Sequence, residues 1–86
     1  MMHLEILTPD KTVFSGNINA VTVSGSKGPF TVLKNHAPII STLDRGELSI
    51  LTANNLDILY EIGEGIIEVD NNRIMVLSEI VRPAEL

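Results

Sequence analysis

Apolar and polar residues alternate with a period of two through most of this chain, the spacing of strands that bury one face of a sheet. Leu4 and Ile6 flank Glu5, and Pro9-Asp10 closes the run, which predicts a first strand from about His3 to Thr8. Val13-Phe14 resumes an apolar segment that Ser15-Gly16 interrupts, and Val21 and Val23 then share a face with Thr22 opposite. A bulge at Ser15-Gly16 would join the two segments into one long bent strand. Ile39 to Leu43 predicts another short strand, and Asp44-Arg45-Gly46 has the composition of a tight hairpin turn. Within Glu47 to Thr52, Leu48 and Ile50 point inward; Ala53-Asn54-Asn55 turns the chain, and Leu56, Ile58, Tyr60 and Ile62 fall on one face. Gly63-Glu64-Gly65 breaks the pattern before Ile67 and Val69. Asp70-Asn71-Asn72 has the composition of a last hairpin turn, with Ile74, Val76 and Ser78 completing the inward set. An apolar i, i+3, i+4, i+7 pattern never persists for the roughly ten residues a helix needs. About eight to ten short strands at this spacing predict an all-β fold, a two-sheet antiparallel β-sandwich or flattened barrel. The tail Val81 to Leu86 is expected to start nothing new.

One stretch is shaped more tightly than the rest. Gly25 and Gly28 permit backbone angles that other residues avoid, Pro29 fixes φ just after them, and Pro38 pushes Ala37 towards an extended conformation. Two stiff corners therefore bracket Phe30 to Leu33, more constraint than a connection needs, which points to a surface held in shape for a partner. The strands carry a second irregularity. Leu7, Leu51, Leu59, Ile66, Met75 and Leu77 lie opposite the inward set, where a solvated sheet face should be polar. Either the sheets curl so that both faces are partly covered, or some of these residues form an exposed apolar patch of the kind that meets another protein.

Composition narrows the possibilities. At 86 residues the chain is expected to be a single domain spanning residues 1–86, near the lower size at which one core suffices. Hydrophobic residues make up 44% of it and aromatics only 3%, so Ile, Leu and Val build the core, and their branching favours pleated surfaces. There is no cysteine, which removes disulfides and thiolate metal sites. A formal net charge of −5, with Lys and Arg scattered singly, offers no basic stripe for nucleic acid or an anionic lipid surface. No apolar run approaches the roughly 18 to 20 residues of a membrane span, and the first residues form no signal sequence. The expectation is a soluble, intracellular protein that reaches a membrane only through other proteins.

Candidate chemistry is sparse. The histidines, His3 and His36, lie far apart without i, i+4 or carboxylate spacing, so His36 is expected to be a corner residue bonded to backbone or facing a partner. Gly63-Glu64-Gly65 is too short for a phosphate-binding loop, and no nucleophile elbow is present. Glu61 with Glu64, and Glu79 with Glu85, are expected to be solvated charges, since nothing nearby would desolvate one of each pair. Lys11 follows Asp10, but a carrier lysine sits at the tip of a symmetrical hairpin and none is expected around it. No catalytic residue, metal ligand or cofactor is expected.

Phe14-Ser15-Gly16, then Val21-Thr22-Val23-Ser24-Gly25-Ser26-Lys27-Gly28, His36-Ala37-Pro38-Ile39-Ile40, Gly65-Ile66-Ile67-Glu68-Val69 and Val76-Leu77 form an ordered set. With this set the chain, from about Leu4 to Ser78, resembles the N-terminal β-sandwich domain of the epsilon subunit of F-type ATP synthases, called delta in mitochondria. The resemblance implies a non-catalytic central-stalk subunit that couples a ring of membrane-embedded c subunits to the gamma subunit in proton- or sodium-driven ATP synthesis. It would lie peripherally at the cytoplasmic face of a bacterial plasma membrane. Carried over residue by residue, the resemblance assigns Ser26, Lys27, Gly28 and Pro29 to the c-ring, and His36, Ala37, Pro38, Ile39, Ile40 and Thr42 to gamma. Many relatives are acidic in the first of these segments, whereas this chain has Lys27 and Pro29, so the sign of any ion pair differs. Relatives commonly continue into a C-terminal helical hairpin that inhibits ATP hydrolysis and in some binds ATP. This chain is expected to lack that hairpin, its inhibition and its nucleotide. A stand-alone β-sandwich that recognises a small ligand or peptide is the alternative.

Overall fold

A computed structural model describes residues 1–84. Nine strands form in it: β1 (Met2–Leu7), β2 (Thr12–Val23), β3 (Phe30–Leu33), β4 (Ile39–Leu43), β5 (Gly46–Thr52), β6 (Asp57–Ile62), β7 (Gly65–Asp70), β8 (Arg73–Ser78) and β9 (Val81–Pro83). They hydrogen-bond in the order β4-β7-β8-β1-β2-β5-β6-β9, with β3 also on β2. Laid flat, eight strands would span roughly 34 Å at their usual spacing. The extents of 27 × 26 × 24 Å instead require the ladder to fold over on itself. The expected all-β, two-sheet sandwich is the result, one layer holding β4-β7-β8-β1 and the other β3, β5, β6 and β9. The twelve-residue β2 is shared between them: its first half pairs with β1 and its second half with β3 and β5.

The core follows from the alternation. Leu4, Ile6, Ile67, Val69, Ile74 and Val76 come from the first layer, and Val21, Val32, Leu48, Ile50 and Ile62 from the second; all are buried in one continuous cluster. Each such side chain contributes about 1.5–3 kcal/mol on leaving water. Ser78, the one buried polar residue among those described, keeps its Oγ within 3.0 Å of the carbonyl oxygens of Glu64 and Ile80 and so remains satisfied.

Several connections depart from the sequence expectation. β2 is a single long strand, but its pairing slips near Val13 and Asn19 and stays regular at Gly16, which sits opposite Leu4. Asp44-Arg45 makes no hairpin. β4 pairs with β7 and β5 with β2 and β6, so the chain crosses between layers there. The crossing is held because Ser26 N–H bonds to Thr42 O at 3.0 Å and Asp44 N–H to Ser24 O at 2.8 Å. The tail does add an element: β9 extends the second layer against β6, with Pro83 tolerated because the strand is an edge. One pairing, β1 with β8, is parallel, since it joins strands from opposite ends of the chain that no tight turn connects. Leu56 falls in the β5–β6 turn and is exposed. Glu85 and Leu86, the last residues of the expected domain and part of the Glu79–Glu85 pair, lie outside the described residues.

Candidate interaction surface

Two corners of the chain meet opposite ends of β4. At one end, Ser26, Lys27, Gly28 and Pro29 form an exposed turn between β2 and β3. Gly28 has φ +124°, a value that L side chains rarely adopt, and its N–H closes the turn onto Gly25 O at 2.9 Å. Gly25 is needed for a different reason, room. A Cβ there would fall 2.7 Å from Gly28 O and 2.7 Å from the Phe30 ring. The base of the turn is tied by hydroxyls: Ser26 Oγ donates to Asp44 Oδ1 at 2.9 Å, and Thr42 Oγ1 donates to Ser26 Oγ at 2.9 Å.

At the other end lies the crossover from β3 to β4. His36 N–H bonds to Leu33 O at 3.1 Å, and Asn35 has φ 67°, the positive third-position angle of a type II turn. His36 Nδ1 lies 2.7 Å from Ala37 O. A carbonyl can only accept, so Nδ1 carries the proton and the ring is committed to the backbone beside it. The crossover is clasped to the β7–β8 hairpin. Asn35 N–H donates to Asn72 Oδ1 at 2.6 Å, Asn72 Nδ2 donates to Asn35 Oδ1 at 3.1 Å, and Asn72 O accepts His3 N–H at 2.9 Å.

The residues expected at a common partner therefore divide. Thr42 is bonded to the Ser26 turn, whereas His36, Ala37 and Pro38 sit at the opposite end of β4, whose five residues span roughly 16 Å. Ile39 faces inward and packs on the core. Ile40 faces outward and is 68% exposed.

Ile40 opens onto the outer face of the first layer, where register builds three rows. Thr42, Ile66, Leu77 and Leu7 stand side by side, then Ile40, Glu68, Met75 and Glu5, then Asp70, Arg73 and His3. The face thus grades from apolar beside the Ser26 turn to charged beside the clasp. Ile66, Met75 and Leu77 are each 38–42% exposed, and the groove that Leu7, Pro9, Ile66 and Leu77 line holds ≈ 370 Å³. Of the outward aliphatics singled out in the sequence, Leu51 and Leu59 belong to the second layer and are half-buried. The exposed members of that set therefore lie on the first layer, while the second layer exposes Leu33 in register with Ala20 and Leu51. Alternation pointed to the first-layer members on β7, β8 and β1, but Ile40 joins them only through the β4–β7 register. The Asn35–Asn72 clasp left no local mark beyond two asparagines at turn positions.

Other candidate groups are kept apart. His3 Nε2 lies 3.4 Å from Ser15 Oγ, whereas the His36 ring is bonded to Ala37 O. Glu61 faces Glu47 across β5 and β6 and lies 3.8 Å from Arg82 Nε, both side chains being more than half exposed. Lys11 sits exposed in the β1–β2 connection.

Comparison with known proteins gives consistent results. The sequence profile of the family described as ATP synthase, Delta/Epsilon chain, beta-sandwich domain matches residues 1–84. An ATP synthase epsilon chain from Chlorobaculum tepidum is 38% identical over 78 residues, which cover 91% of this chain and 89% of that protein. Another from Rhodopseudomonas palustris strain BisA53 is 36% identical over 78 residues; these too cover 91% of this chain, but only 57% of that protein. Among solved structures, a chain of the Euglena gracilis mitochondrial ATP synthase OSCP/F1/c-ring assembly superposes with a TM-score of 0.88 at 19% identity. The match covers 95% of this chain and 52% of that one, and it shows a shared fold.

Proposed function

Because the chain belongs to the family of ATP synthase delta and epsilon β-sandwich domains, we propose that it is a non-catalytic subunit of the central stalk of a rotary F-type ATP synthase. In this reading it couples a c-ring to gamma during proton- or sodium-driven ATP synthesis. It lies on the cytoplasmic side of a bacterial membrane and is held there by the complex. The observation that carries the reading is the exposed apolar group Ile66, Met75 and Leu77, with Ile40 across Glu68 on the same face, in a chain whose sequence relatives are epsilon chains.

The geometry supports two grips. The turn Ser26, Lys27, Gly28 and Pro29 projects from one end to meet the polar loops of the c-ring. The ridge from His36, Ala37 and Pro38 through Ile40 to Thr42, with the patch beside it, meets gamma, and Ile39 anchors that ridge to the core. Force applied at the turn enters β4 through Ser26 N–H to Thr42 O and through the hydroxyl chain to Asp44. From β4 it spreads over the ladder β4-β7-β8-β1, whose strands are paired along their lengths. A load path made of backbone hydrogen bonds and a close-packed core transmits displacement without a hinge.

The test is reconstitution. Ile40→Asp is expected to weaken binding to a gamma-containing F1 complex at least tenfold, the loss typical of a charge placed in an apolar contact. A Lys27→Glu, Pro29→Glu double variant is expected to bind that complex normally while reducing coupled, ion-driven synthesis once the c-ring is present. Unchanged binding by the first variant together with unchanged coupling by the second would remove the case for this surface.

A further inference from the structure

The β7–β8 hairpin does not need the side chain of Asn72. Its turn is a two-residue connection between the paired Asp70 and Arg73, with Asn71 at φ 55° and Asn72 at φ 62°. Both positive angles are those of a type I′ turn, in which glycine is the most favoured residue at the second position. What asparagine adds there is reach. Its amide receives Asn35 N–H and returns a hydrogen bond to Asn35 Oδ1. Residues 34–38 pair with no strand, and among the described residues these are the hydrogen bonds that tie them to the first layer.

We infer that Asn35 and Asn72 are positioning residues: their reciprocal amide clasp fixes the His36-Ala37-Pro38 corner against the β7–β8 tip, so that β4 presents Ile40 to the stalk partner in a preformed arrangement. This rests on the reading of that corner as part of the docking surface. A corner ordered before binding spares the complex the loss of freedom that a loose loop would suffer on docking. The clasp also ties the crossover to the tip of the hairpin whose strands carry Ile66, Met75 and Leu77, so the ridge and the patch keep their relative position. His3 N–H on Asn72 O carries the tie into β1.

Asn72→Gly separates this role from folding, because glycine suits the turn while removing both amide bonds. In the full chain the urea midpoint is expected to shift only slightly, because the ease of glycine at the positive φ offsets much of the lost hydrogen bonding. Amide exchange at Asn35, whose N–H is held by Asn72, is expected to accelerate on the order of tenfold, as follows from losing two hydrogen bonds of ordinary net strength. Affinity for the gamma-containing complex is expected to fall by a similar factor. Asn72→Asp, which keeps the acceptor and tolerates the positive φ, is expected to restore much of the Asn35 protection. Unchanged exchange at Asn35 in Asn72→Gly would overturn the clasp. Faster exchange with unchanged affinity, while Ile40→Asp abolishes binding, would overturn positioning and leave the docking reading intact. If Ile40→Asp also binds normally, the docking reading fails and this inference fails with it, a result the Ile40 variant identifies by itself.

Discussion

Single residues show how differently one sequence signal can be used. Gly25 and Gly28 look alike as turn formers, yet Gly28 is there for its positive φ and Gly25 because the turn closes against Phe30 with no room for a side chain. The need for glycine was legible; the reason at Gly25 was not, because it depends on where a ring from β3 lies. Gly25→Ala must displace the Gly28 carbonyl or the Phe30 ring, so it should destabilise the domain by about 1–3 kcal/mol, as overpacking does. A urea titration measures this, and an unshifted midpoint would show that the turn relaxes freely. Arg82 is the counterexample. Its contact with Glu61 is long and solvent-exposed, so Arg82→Ala should change stability by less than about 0.5 kcal/mol in the same titration. His36, by residue type the most suggestive of chemistry, bonds to the adjacent carbonyl through Nδ1, and among the described residues no carboxylate bonds to its ring.

Strands were legible where their partners are local. The β7–β8 hairpin announces itself as Asp70-Asn71-Asn72 between alternating runs, and β5–β6 as Ala53-Asn54-Asn55, because such turns require residues that accept positive φ. Crossovers carry no comparable mark. Asp44-Arg45-Gly46 has hairpin composition, yet its flanking strands belong to different layers, a choice made by Gly25 bridging Leu43 nearly twenty residues away in sequence. The same limit hid β9 and the parallel β1–β8 pair, which are settled by what else remains unpaired at the sheet edges. The two faces of β7 offer the sharpest test at this scale. Ile67 is fully buried and Ile66 is half-exposed on the patch. Ile67→Ala should cost about 2–5 kcal/mol of stability as a cavity forms in the core. Ile66→Ala should cost under about 1 kcal/mol and instead weaken binding to the gamma-containing complex. Equal stability losses in thermal or urea melts would mean that the outer face is packed in the free chain.

For the whole molecule, alternation and an aliphatic, cysteine-free composition were enough to reach an all-β sandwich, and an ordered set of short motifs was enough to reach the family. The candidate interaction surface was legible only in fragments. Outward aliphatics on β7 and β8 could be picked out one strand at a time, but their union with Ile40, and the separation of Thr42 from His36, follow from strand order in space. The account as a whole rests on the outer face of the first layer being covered in the assembled stalk while the second layer's outer face stays open. The absence of native cysteine makes that directly measurable. Single cysteines in place of Leu77, on the first outer face, and Asp57, on the second, can be labelled with a thiol reagent in the free chain and in the reconstituted complex. The account predicts labelling at position 77 slowed more than tenfold by assembly, with position 57 unchanged; equal rates at position 77 in both states would contradict it.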